Sequence, residues 1–269
     1  MKPSTPNTTI STGPLVLLGL ILAAIILLTC TSHGPLPAVE EPSAARPAPG
    51  FQHWLDEAGI DYAPPSSGKA ILVNIPAFEL IAFEDGRPLF RSRVIVGTPW
   101  NPTPRLETYT TTVRFRPSWR PTPQMIASGE YRDRIVPPGR NNPLGLAAVR
   151  LEPGMLIYLH DTNRRELFAQ ENRALSHGCI RVERWDDLIA WLLDLDPATV
   201  HAWAEGTRTF DRATPPVPVT LGYFTVFPDD AGRPHHFADI YGRQGAAVAQ
   251  HDLERDPWPL PALGRHNPE

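Results

Sequence analysis

The stretch "ALSHGCIRV", residues 174–182, sets a thiol between a Ser-His-Gly run and an arginine. A thiol is mostly protonated at neutral pH, so a nucleophilic cysteine needs a base within hydrogen-bond reach and a cationic or dipolar neighbourhood. Two histidines are candidates: His177, two residues before Cys179, and His160, nineteen before it. Gly178 lacks a Cβ, so the chain can bend tightly there and aim successive amides at one point. Those amides, with that of Cys179, would form an oxyanion hole framed by His177 and Gly178.

Two other readings compete for these residues. In one, Cys179 is a buried structural thiol or forms an intermolecular disulfide. In the other, His160, His177 and Cys179 are three zinc ligands with water in the fourth position, which would make a metal-dependent hydrolase. The remaining histidines, His201, His235 and His236, carry no spacing that extends such a ligand set.

The elements that must position this chemistry read as mainly β with a few helices, an α+β chain. "KAILVNIP" and "FELIAF" are strands, Asp85-Gly86 makes a hairpin turn, and a third strand ends at Gly97. "ETYTTTVRFRP" reads as one long threonine-rich strand. Residues 116–145 are loop-like, punctuated by proline and glycine, and suited to covering a cleft. "MLIYLH" resumes the sheet and puts His160 at a strand end, where a return loop can bring it beside Cys179. "VERWDDLIAWLLDL" has Trp185, Leu188, Leu192 and Leu195 at helical spacing. "DPATVHAWAEG" offers Asp196 as an N-cap before Pro197. A last hairpin is read from "VPVTLGYFTVF", the turn "PDDAGRP" and "HHFADIYG".

Bulk composition excludes some classes. With 269 residues, 42% apolar and 20% charged, the chain can bury one sizeable core. A formal charge of −4 supplies no clustered Lys/Arg for phosphate binding, so no nucleic-acid partner is expected. Residues 1–30 carry an apolar run from Leu15 to Cys30 and read as a signal peptide or membrane anchor, with "LLTC" as a lipidation box. Residues 31–50 read as a Pro/Ala-rich tether, 51–68 as a short helical lead-in and 246–269 as a tail. The domain that follows the leader is expected to be exported to the periplasm or cell envelope. Only one of the two cysteines, Cys179, lies outside the leader, so it has no intrachain partner there.

"HDTN", a fifteen-residue spacer from Asp161 to Leu175, and "SHGCIRV" together resemble the signature of the L,D-transpeptidase catalytic domain of the YkuD type. "ILVNIPAFELIAFEDG", "RVIVGTPWNPTP", "PSWRPTP" and "NNPLGL" are similar to the run-up in proteobacterial murein L,D-transpeptidases, and "LGYFTVFPDDAGRPHHFADIYG" to their C-terminal extension. The resemblance implies a β-sandwich-like catalytic fold over 69–210, with residues 211–245 as a β-hairpin extension packed on it. It implies Cys179 as nucleophile and His160 as base, with Asp161 orienting His160 through its main-chain carbonyl. Ser176, His177 and Gly178 would shape the site. Arg181 is read either as a substrate contact or as half of a buried ion pair, Ser176 as a site residue or a turn hydroxyl, and Trp119 as cleft lining or core. The implied reaction acts on the tetrapeptide stems of peptidoglycan through a thioester, making 3→3 crosslinks with no metal or cofactor. Water as acceptor would make it an L,D-carboxypeptidase or endopeptidase. A wall-binding domain with a decayed site is a further reading, opposed by the intact motif. Against the large relatives, the 120–145 loop is short where they carry a long insertion, no peptidoglycan-binding module is recognisable in the sequence, and Arg116 stands where many have asparagine.

Overall fold

The computed structural model describes residues 50–243; the expectations for the leader, most of the tether and the tail lie outside these residues. Among the described residues, no helix is long and apolar enough to cross a membrane.

The chain is sheet-dominated, as its alternation predicts. Strands β1 (Lys69–Asn74), β2 (Glu79–Glu84) and β3 (Arg87–Gly97) form an antiparallel meander. Its second turn places Asp85 at φ 49° and Gly86 at φ 74°, the left-handed pair that matches a hairpin's twist. The eleven residues of β3 let its first half pair with β2 and its last residues pair with a different set of strands. The sheet therefore continues around the core.

The threonine-rich segment is two strands, not the single one expected: β4 (Leu106–Tyr109) and β5 (Thr112–Phe115). The break comes where the amides of Thr110 and Thr111 turn to different partners, the carbonyls of Val217 and Arg150. Helix α1 (Phe51–Glu57) precedes the sheet, and the short α2 (Pro123–Ala127), capped by Thr122, interrupts the long loop. Strands β6 (Ala147–Arg150), β7 (Tyr158–His160), β8 (Ala174–Ser176) and β9 (Ile180–Val182) carry the motif residues. Helix α3 (Trp185–Leu193) follows. Helix α4 (Pro197–Glu205) then opens on Asp196, whose carboxylate accepts the Thr199 amide at 2.9 Å.

Strands β10 (Phe210–Ala213) and β11 (Pro218–Gly222) both enter the main sheet: β10 pairs with β5, and β11 lies between β1 and β4, parallel to β1. Much of the segment read as an appended hairpin is thus sheet. The hairpin itself is β12 (Val226–Pro228) with β13 (Pro234–His236), and it packs with α1 around Phe51, Phe83 and Phe227. The apolar periodicity shows that residues 218–222 form a strand but not which strand edge receives it.

Candidate active site

Strands β7 and β9 run parallel, with Leu159 opposite Ile180 and His160 opposite Arg181. Leu159 and Ile180 are buried in the core, so the alternate residues Tyr158, His160, Cys179 and Arg181 share the other face. That face opens into a cleft of about 450 Å³. The strand–loop–strand arrangement expected from sequence thus brings the thiol and the more distant histidine to one wall.

His160 is buried, and its Nδ1 is hydrogen-bonded to the main-chain carbonyl of Asp161. A carbonyl only accepts, so Nδ1 carries the proton and Nε2 keeps its lone pair. Burial pulls the imidazole from 6.5 down to about 3, and the Arg181 charge acts in the same direction. The carbonyls of Asp161 and Leu144 oppose this only in part. The ring is neutral throughout the physiological range.

Cys179 is half-buried, and its thiol donates to the Leu156 carbonyl at 3.2 Å. Burial pushes it up from 9.0 to about 11, with the Tyr158 amide and the Arg181 charge pulling the other way. Thiol and imidazole are therefore both neutral at rest. A low dielectric disfavours two separated charges, so no thiolate–imidazolium pair is preformed here.

Ser176 closes the turn that presents the thiol. Its hydroxyl donates to the Cys179 carbonyl at 2.6 Å and accepts the Gly178 amide at 3.1 Å. This is the turn-hydroxyl alternative read from sequence, and it takes up the Gly178 amide that was expected to point into the oxyanion hole. Gly178, at φ 108°, supplies the bend. The His177 imidazole turns away to Glu130 at 2.8 Å and lies edge-on to Tyr131, whose ring also meets Trp119 edge-on. Trp119 lines the cleft and is not part of the core. The His160 ring bonds to Asp161 and the His177 ring to Glu130, so the three groups of the zinc reading do not converge. Among the described residues, no cluster of three His, Cys, Asp or Glu side chains is arranged to hold a metal.

Several supports escaped the sequence reading. Thr103 donates to the Gly178 carbonyl at 2.8 Å and accepts the Gly97 amide at 2.9 Å, tying the turn that carries Cys179 to the end of β3. The Tyr241 hydroxyl donates to the Gly97 carbonyl at 2.5 Å, which brings the C-terminal segment into the same network. The Asp161 carboxylate accepts the Leu146 amide at 2.8 Å and packs against Gly145 so closely that a Cβ there would sit 2.3 Å from Oδ2. Asn142 holds the turn before it, donating to the Pro117 carbonyl at 2.7 Å and accepting the Leu144 amide at 2.9 Å. "NPTP" and "NNPLG" contained these residues, but only the folded chain shows what they brace.

Residues 68–219 match the model of the YkuD family, the L,D-transpeptidase catalytic domain. A Haemophilus influenzae protein named as an L,D-transpeptidase is 30% identical, over 66% of this chain and 45% of its own length. Escherichia coli K12 ErfK/SrfK, also named as an L,D-transpeptidase, is 30% identical over 55% of this chain and 50% of its own length. The chain thus spans about half the length of the curated relatives it matches. Among solved structures, an L,D-transpeptidase from Mycobacterium smegmatis overlaps 58% of this chain and 59% of its own at 19% identity and a TM-score of 0.38. With the family model covering more than half the sequence and the signature residues gathered on one wall of one cleft, this chain belongs to the YkuD L,D-transpeptidase catalytic domain family.

Proposed function

We propose that the protein is a cysteine-dependent peptidoglycan L,D-transpeptidase with Cys179 as nucleophile and His160 as base. The observation that carries this reading is the placement of His160 and Cys179 on the same face of the paired strands β7 and β9, with the His160 Nδ1–H held by the Asp161 carbonyl. That bond leaves Nε2 free to accept a proton.

In this reading the Cys179 side chain rotates from the Leu156 carbonyl toward the substrate and attacks the carbonyl between the L-centre of diaminopimelate and terminal D-alanine. His160 Nε2 takes the thiol proton and passes it to the departing amine as the C–N bond breaks. The oxyanion is met by the main-chain amide of Cys179. The thioester keeps the energy of the cleaved amide, so the side-chain amine of a neighbouring stem can resolve it without ATP, giving a 3→3 crosslink. Residues 51–222 supply the catalytic fold, and residues 1–30, as signal peptide or anchor, deliver it to the periplasm or cell envelope.

Intact mass spectrometry of the protein with a carbapenem and with purified muropeptides tests the proposal. A covalent carbapenem adduct at position 179, and crosslinked dimers that disappear with Cys179→Ala, are expected. Crosslinking that survives Cys179→Ala would overturn the reading. Trimmed stems without dimers would assign water as the acceptor instead.

A further inference from the structure

Arg181 is the middle residue of β9, two positions beyond Cys179 on the same face, and lines the cleft. Side chains at i and i+2 of a strand project from one face about 6.5–7 Å apart. The arginine is half-buried, yet among the described residues it has no carboxylate partner. Two other arginines of the cleft are committed: Arg114 makes a two-pronged pair with Asp211, and Arg120 makes another with Asp133. The acid whose charge reaches Arg181, Glu166, is held by Arg164 at 2.8 Å. A cation taken partly out of water without a counter-ion is expensive unless an anionic ligand completes it.

Distance defines which anion fits. From an attacked carbonyl carbon, one C–N, one N–Cα and one Cα–C bond lead to the next carboxyl carbon, a reach of about 4 Å at most. Each further residue would carry the carboxylate about 3.3–3.6 Å farther. A guanidinium whose charge acts on the thiol and which stands one strand step from it suits a carboxylate one residue beyond the attacked bond. We infer that Arg181 is the receptor for the C-terminal carboxylate of the leaving residue. This rests on the acyl transfer proposed for Cys179. In that step the S–C bond forms, the C–N bond breaks, and the thiol proton travels through His160 to the amine. The free amino acid departs with its carboxylate on Arg181.

The test measures binding, so it does not depend on turnover. In full-length protein carrying Cys179→Ala, calorimetry compares a tetrapeptide stem ending in D-alanine with the same peptide ending in D-alaninamide. A charge-assisted bidentate pair predicts that the acid binds about 10–100-fold more tightly than the amide. Arg181→Gln should bring that ratio close to one. Arg181→Lys, which keeps the charge and loses the fork, should leave an intermediate ratio and provides the readout should the glutamine variant fail to fold. Equal affinity for acid and amide in the Arg181 protein overturns the inference, and so does an unchanged ratio in either variant. The muropeptide mass measurement with Cys179 intact reports separately on the acyl-enzyme, so each idea can fail without the other.

Discussion

Because His160 is buried neutral, acid should destabilise this protein through one identifiable residue. Its folded pKa, about 3, lies below the ordinary 6.5 of an exposed imidazole. The unfolded chain therefore binds the extra proton first, and stability falls as pH drops from about 6.5 toward 3. The full shift of about 3.5 pKa steps corresponds to roughly 5 kcal/mol, at about 1.36 kcal/mol per step. Between pH 7.5 and 4.5 the share already lost is roughly 3 kcal/mol. Carboxylates titrate in the same window, so the informative quantity is a difference of differences. Urea unfolding of the native protein and of His160→Gln, each at pH 7.5 and 4.5, isolates the imidazole. The glutamine variant should start less stable, because a half-matched amide replaces the ring, but should lose roughly 3 kcal/mol less on acidification. If both proteins lose the same stability, the imidazole is not buried neutral, and the account of His160 as a base held ready by the Asp161 carbonyl is wrong.

The Cys179 thiol, raised to about 11, should react slowly with iodoacetamide at pH 7, and its rate should keep climbing past pH 9; a plateau by pH 8 would contradict a thiol buried without a preformed ion pair. Thr103→Val removes the hydroxyl shared by the Gly97 amide and the Gly178 carbonyl and should cost about 2–3 kcal/mol in denaturant unfolding along with most acylation, whereas Thr103→Ser should keep both. Gly145→Ala combines a positive φ of 67° with a Cβ 2.3 Å from the Asp161 carboxylate, so a loss of about 3 kcal/mol and slower acylation are expected; unchanged melting would show that Asp161 is not braced there.

What was legible in the sequence was local. Asp196 before Pro197 announces a helix start because the cap, the fixed proline φ and the Thr199 amide all lie within one turn. Asp85-Gly86 announces a hairpin because both residues tolerate left-handed backbone. The break at Thr110–Thr111 was not legible, since threonine favours strands at every one of those positions and the interruption comes from distant carbonyls at Val217 and Arg150. The path of Pro218–Gly222 into the sheet beside β1 was hidden for the same reason: alternation sets which face of a strand is apolar but says nothing of its neighbour.

The same division runs through the site. The sequence by itself determined the candidate reactive groups and their order, because a thiol, a nearby imidazole and a glycine bend are properties of residue type and spacing. Tertiary structure alone decided their assignments: Ser176 and the Gly178 amide serve the turn, His177 faces Glu130, and Arg181 lines the cleft with no carboxylate partner among the described residues. It also decided that thiol and imidazole are both neutral. Hydrogen-bond partners and local dielectric depend on chain segments tens of residues apart, and those meet only when the sheet closes around its core.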